Sequence, residues 1–390
     1  MTHTIHWLGA GLSSIPGILK LDDGPNPLIV WNRSLEKAQD TLSELKTGMD
    51  VRQLDWQQLE NTIAAGDVLV SMLPATQHLK VAELCLKTKA NFVSSSYISP
   101  DMAKLDAQAK SLGLCFVNEV GLDPGLDHLL AHSLMDQYRN SEQFSPSNEH
   151  YFRSYCGGFP KIPNDFKYKF SWSPLGVLKA LKSPSRWISK GEERTSQAPW
   201  QALTTYTAQF PEGSEEFQAY ANRDSVPFLS QYGFGEDWKV REFVRGTLRL
   251  AGWSTAWKPI FDELEQLTGD AAEQRMVEIS TELEEEHSYE VGEPDRVVLC
   301  VELEARRDGQ SIWHKSYQMD SQGNAAGHAM ARLVSWTVAI AIDSLLAGDI
   351  PTGVSAAPEQ PELVAQWLGK LDELGEKITA STPLPTATSE

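Results

Sequence analysis

A glycine pair and two clusters of small polar residues carry the first chemistry that can be read along this chain. Gly9-Ala10-Gly11 follows the apolar run 5–8 directly and precedes a helix-like stretch. Glycines at such a point let backbone approach a phosphate, and the start of a helix supplies unpaired N–H groups, here from Leu12 and Ser13. The GxGxxG pattern is incomplete, because Ser14 stands in the place of the third glycine and Gly17 follows later. The weight therefore falls on position at the head of a βα series; the alternative is a tight turn without ligand. At the end of the second apolar run the chain reads Trp31-Asn32-Arg33-Ser34. An acidic residue there would accept from the 2′-hydroxyl of NAD(H), whereas Asn32, Arg33 and Ser34 suit the 2′-phosphate of NADP(H). Ser34 equally serves as a helix N-cap. Ser71-Met72-Leu73-Pro74 and Ser94-Ser95-Ser96-Tyr97 end the fourth and fifth runs, at the carboxyl edge where a doubly wound sheet binds ligand. Ser71, Leu73, Pro74, Ser96 and Tyr97 are expected to border the nicotinamide. Otherwise Pro74 only starts a helix and the serines only solvate loops.

These residues need a scaffold, and the first part of the chain supplies one. Short apolar runs at 5–8, 28–31, 50–53, 68–71, 92–94 and 114–117 read as six strands, with amphipathic stretches between them. Lys37, Ala38, Thr41, Leu42 and Leu45 set the helical spacing of one such stretch. The rhythm predicts an α/β fold, a Rossmann-type parallel sheet, over residues 1–122. After Gly125 aromatic residues become dense, and strand-like runs at 150–155 and 246–250 lie far apart. A second, α+β domain for substrate binding or dimerisation is expected over 123–324. Within it, 297–304 and 312–319 form a long hairpin about Arg307-Asp308-Gly309, and antiparallel pairing is expected. Residues 262–295 read as a strongly acidic helical region with a solvated face. Residues 328–346 form an apolar helix, and the polar, Pro-containing tail 379–390 reads as disordered.

A chain of 390 residues holds two cores, and 41% hydrophobic residues suit a globular protein. The formal charge of -19 repels nucleic acid and anionic lipid, so neither is expected as a partner. Cys85, Cys115, Cys156 and Cys300 show neither a CxxC pair nor zinc-ligand spacing; no metal is expected, and thiols of this kind suit a reducing cytoplasm. The start MTHTIHWLGAG reads as a strand rather than a signal peptide. The longest apolar run, 336–342, stops at Asp343, short of the roughly 20 residues that span a bilayer.

Several segments together resemble saccharopine reductases, the L-glutamate-forming branch of the saccharopine dehydrogenase-like family. They are SMLPATQHLKVAELCLK, the Ser-Ser-Tyr-Ile-Ser-Pro run ending at Pro100, NEVGLDPGLDH from Asn118, SYCGGFP from Ser154, YKFSWSPLGVL from Tyr168, YANRDS from Tyr220 and GTLRL from Gly246. The resemblance covers nearly the whole chain. It implies a small-molecule, amino-acid enzyme, a homodimer, that condenses L-glutamate with 2-aminoadipate 6-semialdehyde and reduces the imine with NADPH, or runs the reverse. It also implies that residues 325–378 return to complete the first domain.

Three carboxylates on such a substrate call for cationic and N–H donors. Arg223 and Arg249 are the candidates, with Asn222 beside them and the open backbone at Gly157 and Gly158. A strand surface charge at Arg249 and an Asx-type turn at 222–225 are the plainer readings. Proton traffic falls to Tyr97, Asp123 and Cys156, on chemistry and on resemblance alike. Asp123 lies in Gly121-Leu122-Asp123-Pro124-Gly125, a hinge-like turn that it otherwise only braces, and Cys156 is otherwise a buried thiol. The chain departs from the family pattern at Leu175, where Arg is expected, at Leu250, where Tyr is expected, and in a short loop after SYCGGFP. A carboxynorspermidine-type polyamine dehydrogenase and a non-catalytic NADP(H)-binding sensor are the competing functions.

Overall fold

A computed structural model describes residues 2–43 and 46–381, apart from the side chain of Asp270; Leu45 and the tail from 382 lie outside the described residues. The chain divides into two compact units, 1–129 with 325–327 and 331–374, and 130–324 with 328–330 and 375–390. The boundaries expected at 122 and 378 therefore move to 129 and 374.

Among the described residues the first unit holds a seven-stranded sheet. Its early strands are β1 Ile5–Leu8, β2 Leu28–Asn32, β3 Asp50–Gln53, β4 Val68–Ser71, β5 Asn91–Val93 and β6 Cys115–Val117. The spatial order is Gly353–Ser355, β6, β5, β4, β1, β2, β3, and every neighbouring pair is parallel. IHWL and VLVS are wholly buried, as strands covered on both faces must be. Strand order reverses between β1 and β4, and in open α/β sheets the crevice beyond the carboxyl ends of such strands receives the ligand. Gly353–Ser355 was not among the six expected strands. It is three residues long and gains strand character only by pairing with Cys115–Val117.

Leu8, Trp31, Leu69, Phe92 and Phe116 from this sheet share a core with Val81, Cys85, Met102 and Ala109. The expected apolar helix is Ala329–Ala347, and it runs well beyond the apolar run 336–342. Its length and composition would suffice to cross a membrane, yet 78% of its apolar window is buried inside the protein. In the first unit it lies against helix Ile15–Asp22, where Gly17 N donates to Ser335 Oγ at 2.8 Å, and against helix Pro361–Glu373, where Trp367 Nε1 donates to Ser344 Oγ at 2.8 Å. It is a core helix.

The second unit holds the other sheet, built from β7 Glu149–Pro160, β8 Ser185–Ser189, β9 Glu192–Ser196, β10 Thr204–Phe210, β11 Gly213–Ala221, β12 Lys239–Arg249, β13 Asp295–Arg307 and β14 Gln310–Gln322. Its order is β10, β11, β12, β7, β13, β14, Thr379–Ser381, with β8 on β12 and β9 on β8. The antiparallel pairing expected of the hairpin is found between β13 and β14; elsewhere in the sheet β12 and β7 run parallel. The hairpin β13–β14 closes through Asp308 (φ 51°) and Gly309 (φ 77°), the left-handed pair of a type I′ turn that matches strand twist.

The tail reading is corrected at its start: Thr379–Ser381 pairs with β14, and Ser321 Oγ donates to Glu376 Oε2 at 2.6 Å. Three backbone residues on a sheet edge outweigh a disorder-prone composition. The acidic region folds as helices Lys258–Gln266 and Asp270–His287. Met276, Ile279 and Leu283 turn one side of the longer helix to Val177, Leu178 and Leu181. On the outer side Arg275 gathers Glu263, Glu278 and Glu282 at 2.7, 3.2 and 2.8 Å.

Candidate functional site

The glycine turn leaves β1 at Leu8. Gly9 N donates to Trp31 O at 2.8 Å, and its φ of +101° is one that side chains rarely adopt. A Cβ there would also come within 2.8 Å of Met72 O, at the end of β4. Asn32 ties the turn to β2, since its Oδ1 accepts from Ala10 N at 3.2 Å while its Nδ2 donates to Ser34 O at 2.9 Å. Ser14 is buried and its Oγ donates to Gly9 O at 2.9 Å, so it closes the turn from within. The close packing usual for the third glycine passes to Gly17, whose Cβ would meet Ser335 O at 2.5 Å.

Beside Gly11 the situation is opposite, because an added Cβ meets no atom within 4 Å. Leu12 is 53% exposed, Ser13 is half-buried, and helix Ile15–Asp22 begins just beyond with Pro16 in its first turn. Open space beside a glycine, at the start of a helix and at the sheet's switch point, fits a pyrophosphate. The residues that end and follow β2, Asn32, Arg33 and Ser34, include no carboxylate. Arg33 and Ser34 are exposed there, and Ser34 Oγ accepts from Lys37 N at 3.4 Å, so its cap role is present too.

At the ends of β4 and β5 the structure ties two expected residues to a third that sequence reasoning missed. His78 Nδ1 lies 2.8 Å from Ser71 Oγ and its Nε2 lies 2.8 Å from Ser96 Oγ. Burial pushes the His78 pKa down to about 4, so the ring is neutral near pH 7, with one nitrogen donating and the other accepting. Ser71 is fully buried, and its hydroxyl serves this chain of bonds. The available signal was a histidine seven residues beyond Ser71 on the inner side of a helix. Leu73 touches the Gly9 position, and Pro74 precedes a short 3-10 turn, Ala75–Gln77.

Tyr97 and Asp123 come together, with Tyr97 Oη donating to Asp123 Oδ1 at 3.2 Å. Asp123 precedes a cis bond to Pro124, in a turn closed by Gly121 N donating to Pro124 O at 2.9 Å.

In the second unit, strand register aligns Cys156, Thr247 and Tyr220 across β7, β12 and β11. Arg249, two residues beyond Thr247, and Gly158, two beyond Cys156, share their face of the sheet. Gly157 points to the other face, where a Cβ would meet Leu248 O at 2.6 Å; a Cβ on Gly158 would meet Met330 Cε at 2.6 Å. Packing against backbone thus accounts for Gly157, whereas at Gly158 the neighbour is the movable end of a methionine side chain.

Arg249 is only 6% exposed. Its Nε donates to Tyr220 Oη at 3.1 Å, and the guanidinium lies 4.9, 5.6 and 5.2 Å from the rings of Tyr168, Tyr220 and Trp253. Among the described residues no carboxylate pairs with it; the two phenols hold its pKa up against burial. A desolvated cation in an aromatic cage is costly unless an anion completes it. Tyr168, Tyr220 and Trp253 were not singled out as site residues, since aromatic residues lining a cage and those filling a core read alike. Asn222 N donates to Arg245 O at 2.8 Å, and Arg223 is exposed with a left-handed φ of 54°, a conformation uncommon outside glycine. The neighbouring Asp224 is taken up by Arg186 at 2.8 Å. Leu175 and Leu250, the departures from the family pattern, sit in or against apolar clusters.

Comparison with known proteins identifies both parts of the chain. Residues 5–117 match the saccharopine dehydrogenase NADP binding domain and residues 121–376 the saccharopine dehydrogenase C-terminal domain. The chain is 33% identical over 266 residues to the NADP(+), L-glutamate-forming saccharopine dehydrogenase of Pyricularia oryzae, covering 67% of this chain and 57% of that protein. It is 36% identical over 272 residues to the enzyme of the same name from Saccharomyces cerevisiae, covering 68% and 59%. The chain thus spans less than two thirds of the length of these relatives. A solved structure of apo saccharopine dehydrogenase (L-Glu forming) from Saccharomyces cerevisiae superimposes with a TM-score of 0.78 at 26% identity, covering 98% of this chain and 100% of that one. The chain belongs to the saccharopine dehydrogenase family, and its first unit is that family's NADP-binding domain.

Proposed function

We propose that this member of the saccharopine dehydrogenase family is an NADP-linked oxidoreductase acting on a CH–NH bond, joining L-glutamate to 2-aminoadipate 6-semialdehyde or cleaving the product. Arg249 carries the reading: a buried guanidinium with no carboxylate partner among the described residues, held by Tyr220 and lying among three rings, is a receptor for a carboxylate. In the joining direction the glutamate amine attacks the aldehyde carbon, water leaves, and the protonated imine becomes a secondary amine. One aldehyde, one amine, one NADPH and one proton give saccharopine, NADP+ and water. NADPH, when bound, supplies the hydride.

The chain's own residues do the rest. Gly9, Gly11 and the helix start after Ser13 receive the pyrophosphate, and Arg33 and Ser34 receive the 2′-phosphate. Tyr97, hydrogen-bonded to Asp123, handles the proton of the amine nitrogen, with Cys156 as a further weak acid. Arg249, Arg223 and Asn222 bind substrate carboxylates. The reading extends to a homodimer in the cytoplasm; four unbridged cysteines suit a reducing compartment, and light scattering after gel filtration measures the assembly.

The test follows NADPH absorbance while 2-aminoadipate 6-semialdehyde is offered with a panel of amino acids and diamines, then repeats it with NADH. Oxidation with L-glutamate, faster with NADPH, is expected. Turnover with diamines alone would replace the reading by a polyamine dehydrogenase, and binding without any turnover would replace it by a sensor.

A further inference from the structure

Asn118 to His128 contains three buried titratable residues, Glu119, Asp127 and His128, that the chemistry above leaves unused. Glu119 follows β6 in a left-handed conformation (φ 55°) and is only 5% exposed. Its backbone N donates to Ser96 O at 3.0 Å, and its Oε1 accepts from Ile98 N at 2.9 Å. One residue thus grips the chain on both sides of Tyr97. Its other oxygen, Oε2, lies 3.0 Å from Nε2 of the fully buried His128. His128 Nδ1 lies 3.8 Å from Asp127 Oδ2, and Asp127 Oδ1 accepts from Gly125 N at 2.8 Å. Gly125 closes the turn that carries Asp123. The path from Tyr97 through Glu119, His128 and Asp127 to the Asp123 turn therefore joins the two ends of the Tyr97–Asp123 hydrogen bond. That bond is 3.2 Å long, beyond the usual O–H···O distance, so its strength depends on how the two backbones are held.

We propose that Glu119 is a positioning residue for the proton-transfer pair: braced by His128 and Asp127, its carboxylate fixes the backbone on either side of Tyr97 and so sets the approach of Tyr97 to Asp123. The proposal rests on the reading that Tyr97 handles the proton. What it requires of residue 119 is reach. A left-handed carboxylate spanning from the end of β6 to Ile98 N is one methylene too short as Asp, while Gln keeps both the length and an accepting oxygen.

The experiment compares E119D, E119Q, Y97F and Y97F/E119D in the full-length protein, measuring kcat, KM for glutamate, NADPH affinity by fluorescence titration, and melting. E119D is expected to lower kcat roughly 10- to 100-fold, the size expected of a misplaced catalytic group, with NADPH affinity and KM changed less than about threefold. E119Q is expected to retain the larger part of kcat. Because Glu119 acts through Tyr97, E119D should add less than about twofold to the loss in Y97F. Multiplied losses in the double variant would overturn the proposal, as would an E119Q loss exceeding that of E119D, which would make charge rather than reach decisive. Unchanged kcat in Y97F would remove the proton-handling reading and the proposal with it. That outcome is distinct, because it appears in the single variant.

Discussion

The glycine turn of the first unit and the Arg249 cage of the second are both suited to a negative charge, and they are built from opposite materials. The turn uses no charged side chain: left-handed Gly9, open space beside Gly11 and the N–H groups of a helix start suffice. The cage uses one full charge, desolvated among Tyr168, Tyr220 and Trp253 from separate stretches of chain. A backbone site tolerates changes of side chain but not of Cβ. A desolvated cation tolerates changes of neighbouring backbone but not loss of its charge.

The contrast breaks most readily at Arg249. R249M keeps the apolar packing and removes the charge, and kcat/KM for glutamate should fall about 10³-fold, on the order of 4 kcal/mol as for truncated buried charge pairs. NADPH affinity by fluorescence should stay within a factor of two; a parallel fall would mean that the cage supports the fold rather than the substrate. R33A addresses the other unit: NADPH affinity should drop roughly 30-fold, from the loss of a charge-assisted contact of about 2 kcal/mol, while NADH affinity and KM for glutamate hold.

Acid sharpens the comparison by showing what the units share. Burial pushes His78 in the first unit and His150 in the second down to a pKa of about 4. Between that value and about 6.5 the unfolded chain binds the additional proton, so stability is complete above pH 6.5 and declines as pH falls towards 4. Each histidine should cost on the order of 2 kcal/mol between pH 7 and pH 5, read by urea unfolding, and H78Q should remove its share of that slope. The smallest effect belongs to exposed Arg223: R223A should raise KM for glutamate about fivefold, near the 1 kcal/mol of a solvated ion pair, without altering NADPH affinity.

Much of the first unit was legible because its rules are local. Strands β1, β3 and β4 fall on their expected residues; β1 and β4 are short, wholly buried runs, while β3, Asp-Val-Arg-Gln at the sheet edge, is marked by its place in the βα rhythm. The Gly353–Ser355 strand escaped because nothing in its three residues distinguishes it from loop; β6 makes it a strand. In the second unit the runs at 150–155 and 246–250 marked β7 and β12 but understated both, because a strand inside a sheet continues through glycines and polar residues as long as neighbours supply hydrogen bonds. His78 and Glu119 went unremarked for a related reason. Their partners Ser96 and Ile98 stand 18 and 21 residues away, and a polar residue's burial cannot be read from its neighbours in sequence.

The sequence by itself determined the βα rhythm, the glycine turn and the run Asn32-Arg33-Ser34 without an acid, and it marked Tyr97, Asp123 and Arg249 as candidates, because residue type and short spacing carry that information. Tertiary structure decided which of these residues meet: that Tyr97 reaches Asp123, that Gly17 takes over the packing task from Ser14, and that Arg249 loses water without gaining a carboxylate among the described residues. Proximity and desolvation belong to the packed chain, where the same arginine becomes either a surface charge or a receptor according to what surrounds it.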